Sequence, residues 1–289
     1  MQNILEYFLF ISFSYLFKIL GLKLSRKISV FIAFFFYYII PIRKETVLQN
    51  LKYAFPDYSQ GKIKQISYEN YKSFAVTFTE IMYLPHISRK KLIENVECVN
   101  LDLVKKRYEA ENPIILLTAH FGNWEYMAAS TGVQLKLPLN LVIKNQRNPY
   151  VTNWLKKNRS RFGNSVIPMG IQIRKIYQKL KEKKIVLMAA DQRGDEDSIR
   201  VNLFGRSTSV FSGPAALALK TNAVLICAIP VRQKDEKYKI IFEELNVDNL
   251  PEELEDKKVE ICQRYTSYLQ KIIEENPEQW LWMHKRWKH

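Results

Sequence analysis

Between residues 114 and 232 the chain alternates short apolar runs with segments of helical period, a pattern that few folds tolerate. The runs are Ile114–Ala119, Leu139–Lys144, "IVLMAAD" ending at Asp191, and "AVLICAIPV" ending at Val231. They lack the in-out alternation of a half-buried strand, so they suit strands covered on both faces. Helical spacing falls between them. Trp124–Thr131 is one such segment, and Tyr150–Phe162 another, with Val151, Trp154 and Leu155 on one side. Ile173, Ile176, Tyr177 and Leu180 make a third. Ser212 offers a cap to a helix carrying Pro214 in its first turn. Further helices are predicted over 59–85, stopped at Pro85, and over 252–273, ended before Pro277. The pattern predicts an α/β fold, with a mostly parallel or mixed sheet flanked by helices.

The N-terminus reads differently. Tyr7–Phe17 is uncharged and apolar, and Ile28–Ile42 is a second such run, fifteen residues long and rich in Phe and Tyr. Neither reaches the roughly 20 residues that cross a bilayer comfortably. Lys23, Arg26, Lys27, Arg43 and Lys44 flank the second run, and no small-residue cleavage site follows either. We read residues 1–44 as an N-terminal membrane anchor, either one short span or two helices in the interface. A hairpin of buried core helices is the alternative. Residues 45–289 read as a single α/β domain.

With 44 Lys+Arg against 29 Asp+Glu, the net charge is +15. Nucleic acid, an anionic membrane surface and an acidic partner all fit that charge. Nucleic acid is disfavoured, since no RNP-like, zinc-finger, KH or P-loop pattern occurs and the apolar N-terminus would have no role. Cys98, Cys227 and Cys262 are scattered without metal-ligand spacing, so neither a disulfide framework nor a zinc site is indicated.

In such sheets ligands bind beyond the carboxyl ends of the strands. His120 ends one predicted strand and Asp191-Gln192-Arg193 ends another. Gly122 permits a tight turn and Asn123 caps the next helix, which places Glu125 in its first turn. Glu125 can then fold back to hold one imidazole nitrogen of His120, leaving the other to act as a base on a hydroxyl. A simple loop hydrogen bond is the bland alternative. Backbone amides near Gly122 are the expected oxyanion donors. Asp191, Gln192 and Arg193 are expected to line the same crevice, unless Asp191 serves only as a turn cap.

"HFGNWE" (120–125) is an HX4E motif and resembles the lysophospholipid acyltransferase superfamily, most closely the bacterial lipid A biosynthesis late acyltransferases. "NLKYAFPDYS" (50–59), "NRSRFGNSVIP" (158–168), the block from Asp191 to Arg232, and "NPEQWLWMHKRWK" (276–288) match in the same order. The resemblance implies a glycerol-phosphate-acyltransferase-like fold, with His120 as general base and Glu125 orienting it. It implies transfer of an acyl chain from an acyl carrier protein thioester to a hydroxyl of a glycolipid acceptor, a lipid A precursor. It places the protein at the bacterial inner membrane with its catalytic domain on the cytoplasmic face. Acyl-CoA as donor, and another glycolipid or a lysophospholipid as acceptor, are alternatives, and a catalytically inactive lipid-binding protein on the same fold is a remoter one, opposed by the intact His120 and Glu125.

Arg159 and Arg161 fall in the arginine-bearing block. There a guanidinium fork would match glycolipid phosphates, against the alternative of a solvated basic face. Asn123, Arg159, Arg161, Asp191, Gln192 and Arg193 form the expected substrate-binding set. Trp280, Trp282 and Trp287 interleave with basic residues, which suggests a membrane-interface contact first and packing onto the domain second. His284 reads as structural or lipid-facing. No metal or redox cofactor is expected.

Overall fold

A computed structural model describes residues 2–170 and 173–288 of the chain. In chain order its strands are β1 (Val96–Val99), β2 (Ile114–Thr118), β3 (Asn140–Ile143), β4 (Ser165–Pro168), β5 (Ile185–Ala189), β6 (Arg200–Leu203), β7 (Arg206–Ser209), β8 (Val224–Arg232) and β9 (Tyr238–Glu244). Seven of them form one sheet in the order β1-β9-β8-β2-β5-β3-β4, while β6 and β7 pair as a separate hairpin. Neighbours in the large sheet run parallel except β8 and β9.

The helices are α1 (Gln2–Phe34), α2 (Lys44–Ala54), α3 (Gln60–Tyr83), α4 (Arg89–Glu94), α5 (Leu101–Glu109), α6 (Trp124–Leu135), α7 (Pro149–Ser160), α8 (Ile173–Lys181), α9 (Gly213–Thr221) and α10 (Leu254–Glu275). Helices cover both faces of the sheet. Ile115, Leu117 and Ala119 pack with residues of α8, α9 and α10, while Ile114 and Leu116 pack with residues of α5 and α6. That division follows the two-residue period of a strand, and it explains why β2 is apolar at every position.

The expected strands and helices in 114–232 are present, with ends shifted by a few residues. Strands β1, β4 and β9, the β6–β7 hairpin and helices α2, α4 and α5 were not anticipated. Ser212 occupies the N-cap position of α9, but its side chain makes no capping bond.

Helix α1 is broken at Gly21, whose φ of +72° and ψ of 160° are non-helical. A Cβ is disfavoured there, and a kink at glycine follows. The helix packs along α3 and continues into a π-helical turn, Phe35–Ile39. Its pattern is inverted relative to a soluble helix. Ser14, Ser25, Arg26 and Ser29 are buried, whereas Leu5, Phe8, Leu9, Ile19 and Phe31 are exposed. Ser14 donates to the Met82 carbonyl at 2.7 Å, and Arg26 Nε donates to Glu80 at 2.7 Å. Among the described residues, Gln2–Ile39 is the one helical segment long and apolar enough to cross a membrane.

Candidate active site

Strand β2 lies between β5 and β8, so the carboxyl ends of β2 and β5 open side by side. His120 follows β2, and Asp191 follows β5. The His120 Nδ1 group bonds Asp191 Oδ1 at 2.8 Å, and the His120 backbone N–H donates to Asp191 Oδ2 at 3.0 Å. Trp280 Nε1 donates to the same Oδ2 at 3.0 Å. An acceptor on Nδ1 selects the tautomer whose lone pair sits on Nε2, the arrangement a general base requires.

Burial alone would weaken the imidazole's hold on a proton. The adjacent Asp191, by charge and hydrogen bond, and Glu125 by charge outweigh that effect, so the pKa of His120 rises above its ordinary value despite Arg159. Burial would likewise raise Asp191, but His120 and the Trp280 indole hold its carboxyl below the usual range.

Glu125 does not reach the imidazole. Both its oxygens accept from Arg159, whose Nε donates at 2.9 and 3.1 Å and whose Nη2 donates at 2.5 Å. The expected orienting contact is therefore made by Asp191, and the Glu125 side chain clamps α7 to α6. The pair is mostly buried, with side-chain exposures of 5% for Glu125 and 15% for Arg159.

The remaining expected residues separate clearly. Asn123 caps α6 through Oδ1, which accepts from the backbone N–H groups of Glu125 and Tyr126, and its Nδ2 donates to Glu80 at 2.9 Å. It is fully buried, with its side chain committed to these bonds. Arg161 donates to the carbonyls of Leu84 and Ile87 and so fixes the turn after α3. Gln192 and Arg193 stay half-buried beside Asp191. The Gly122 N–H already donates to the Gln279 carbonyl at 3.0 Å, which removes it as an oxyanion donor. Gly122 is required for a different reason, since at φ +49° a Cβ would sit 2.1 Å from the Pro230 carbonyl oxygen.

Several contributors were not foreseen. Glu80, wholly buried, accepts from Arg26, Asn123 and the Tyr238 hydroxyl. Arg232 donates to Tyr238, Ser73 and Thr77, and Thr77 donates to the Gly122 carbonyl. This network ties the His120–Asn123 turn to α3 and, through Arg26, to α1. The sequence signal was a lone carboxylate amid the apolar "FTEIMYLP". Trp124 stands edge-on to the His120 ring at 5.1 Å between centroids. Trp280 and Trp282 are buried, contrary to the interfacial reading, because Asn70 and Asn50 hold their carbonyls at 2.7 Å.

A cavity of about 630 Å³, lined by Phe31, Phe36, Phe74, Phe78 and Met283 among others, lies between α1 and α3. Phe74 also lines the small space of about 10 Å³ beside His120, Thr77 and Trp124. Burial pushes the Cys98 and Cys262 thiols up to about 12, which keeps them from acting as thiolates. Among the described residues no cluster of three or more His, Cys, Asp or Glu side chains is arranged to hold a metal ion.

A histidine held by a buried aspartate stands at the carboxyl end of a mostly parallel α/β sheet, and Phe74 lines both the small space beside it and the larger apolar cavity. The chain belongs to the bacterial lipid A biosynthesis acyltransferase family, whose model matches residues 1–289, and it is an acyltransferase. It is similar to the lipid A biosynthesis lauroyltransferase of Escherichia coli (strain K12), 24% identical over 254 residues, which are 85% of this chain and 79% of that one. The lipid A biosynthesis palmitoleoyltransferase of the same organism is 24% identical over 256 residues, again 85% and 79%. A phosphatidylinositol mannoside acyltransferase of Mycolicibacterium smegmatis is 26% identical over 157 residues, 53% of this chain and 51% of that one.

Proposed function

We propose that the protein transfers a fatty acyl chain from an acyl carrier protein thioester to a hydroxyl of a lipid A precursor, with His120 as general base. The observation that carries this reading is the His120–Asp191 pair, which occupies Nδ1 and leaves Nε2 to serve as the base. Nε2 takes the proton of the acceptor hydroxyl as its oxygen attacks the thioester carbonyl. The tetrahedral intermediate then expels the thiolate, and the proton on His120 returns to that sulfur. Thiolate leaves more readily than an amine, so one proton carrier suffices. Asp191 holds the ring and stabilises the imidazolium, and Glu125 adds a more distant negative charge while fixing Arg159.

The apolar cavity supports the acyl part of the reading, since its volume falls within the roughly 300–1,000 Å³ usual for ligand pockets. The net charge of +15 supports an acidic carrier protein as donor and an anionic membrane as neighbour. The exposed apolar face of α1 supports residues 1–44 as the membrane-contacting part of the chain, at the cytoplasmic face of the inner membrane. The mannoside acyltransferase relative makes a different glycolipid the second acceptor to try.

The test is mass spectrometry of the purified protein incubated with acyl carrier protein thioesters and a tetra-acylated lipid A precursor. His120→Ala runs beside it. One added acyl chain, absent with the variant, is the expected result. No addition by folded wild type across several chain lengths sinks the lipid A acceptor.

A further inference from the structure

Among the described residues, buried N–H groups of side chains that lack a partner occur on three residues. They are Nε and Nη1 of Arg193, Nε of Arg286 and Nε1 of Trp287. The other orphaned side-chain atoms are hydroxyl oxygens, which can turn to find an acceptor. A guanidinium has no such freedom. It is always charged and its donors form a rigid fork, so leaving them buried and unpaired is costly.

The two arginines share one neighbourhood. Arg286 is 3% exposed, and its Nη1 is fixed by Thr208 Oγ1 and the Ser209 carbonyl, each at 2.8 Å. The Arg193 loop docks on the same strand β7, since Gly194 N–H donates to the Ser209 carbonyl and Ser209 Oγ donates to the Gly194 carbonyl. His284 Nε2 accepts from the Arg193 backbone N–H at 3.2 Å, while Nε and Nη1 of the Arg193 side chain have no partner. The nearby carboxylate, Asp191, is already held by His120 and Trp280. Positive charge is thus in excess. Burial first, then Arg286 and Arg193 against the pull of Asp191, drive His284 down to about 4, and burial with Arg193 lowers Arg286 to about 10.

We propose that Arg193 and Arg286 form a binding site for a phosphate group carried by a substrate, beside the His120–Asp191 pair. Nε of Arg286 with Nε and Nη1 of Arg193 leave three buried charged donors unmet, whereas a phosphate offers oxygens to both forks. That the phosphate belongs to a substrate rests on the acyl-transfer reading; the anion site itself does not. Two sources carry this chemistry, the phosphodiester of the donor's pantetheine arm and a phosphate on the glycolipid acceptor.

The first measurement uses inorganic phosphate, titrated into the full-length protein in detergent at constant ionic strength while thermal unfolding is followed. Wild type should gain Tm with a saturating dependence, Arg193→Gln should not, and Arg193→Lys should keep part of the gain. Arg286→Lys serves as a second variant, because Arg286→Gln also cuts the β7 bonds. The second measurement is steady-state kinetics. Arg193→Gln should raise KM for the phosphate-bearing substrate by roughly 10–100-fold, the loss of one or two charge-assisted bonds, with a smaller change in kcat. If the KM difference between wild type and variant vanishes with acyl-pantetheine, which lacks the phosphate, the site serves the donor. If it vanishes with a dephosphorylated acceptor, the site serves the acceptor. Phosphate stabilisation of wild type alone, without acyl transfer by either protein, keeps the anion site and discards the acyl-transfer reading. Equal phosphate responses in wild type and Arg193→Gln overturn the proposal.

Discussion

The Asp191 carboxylate lies 2.8 Å from Nδ1 of His120 although 71 residues separate the two in the chain. Adjacent strands β2 and β5 bring them together, so the pair is a product of sheet order. Replacing Asp191 with Asn keeps the volume but removes the charge that raises His120. Activity should fall by about 10²–10⁴-fold, the range for loss of positioned acid–base help. The sign of the pH effect is fixed as well. Asp191 raises the imidazole pKa, so its removal lowers that pKa, and the acidic limb of kcat/KM should move to lower pH. A limb that stays in place would show that Asp191 does not set the basicity of His120.

Glu125 and Arg159 form a bidentate, mostly buried pair joining α6 to α7. Removing one partner strands the other charge, at a cost of about 3–5 kcal/mol, while removing both relieves it. Glu125→Gln and Arg159→Gln should each lower stability in urea unfolding, and the double variant should lose less than the sum. Strict additivity would mean that the two side chains do not depend on each other. Activity of the double variant separates the roles further. Substantial residual acyl transfer assigns Glu125 to positioning, and complete loss in a stable double variant assigns it a part in the chemistry.

Much of this site was legible because it is local. The apolar run of β2, the turn at Gly122 and the cap at Asn123 are set by neighbours within a few residues, and they place His120 at the strand end. The partner of the imidazole was not legible. Spacing within "HFGNWE" favours Glu125, and nothing local says that β5 pairs with β2 or that Arg159 will claim Glu125 first. The tryptophans near the C-terminus failed for a related reason. Aromatic residues interleaved with Lys and Arg look alike in a membrane belt and in a core strap. What decides is Asn50 and Asn70, more than 200 residues earlier, donating to the carbonyls of Trp282 and Trp280. Strands β1 and β9 were missed because one has four residues and the other, Tyr238–Glu244, sets Ile240, Ile241 and Phe242 in a row, which hides its alternation in the sequence.

His284 gives a pH dependence of stability. Burial holds it down to about 4 against an ordinary value of 6.5. Below 6.5 the unfolded chain takes up a proton that the folded chain refuses, so folded stability falls as pH drops from 6.5 toward 4. The slope from this residue is at most about 1.4 kcal/mol per pH unit, and less where solvent reaches the ring. His284→Gln should flatten the curve in that window relative to wild type, measured by urea unfolding at stepped pH. Parallel curves for the two proteins would remove His284 as the source.

The inverted pattern of α1 separates folding from membrane contact. Ile19 and Leu5 are 82% and 64% exposed, so replacing them with Ser removes little that the fold uses. Stability in detergent should change by no more than about 0.5 kcal/mol, as for other exposed positions. If these side chains enter lipid, each contributes about 1.5–3 kcal/mol of transfer free energy, and their joint loss should weaken binding to anionic vesicles by at least about a hundredfold. Flotation with vesicles at low and high salt reads this directly. Binding that survives high salt in wild type but not in the double variant assigns the apolar face to lipid contact. Binding lost at high salt in both proteins alike would leave the basic surface, and not α1, as the attachment to the membrane.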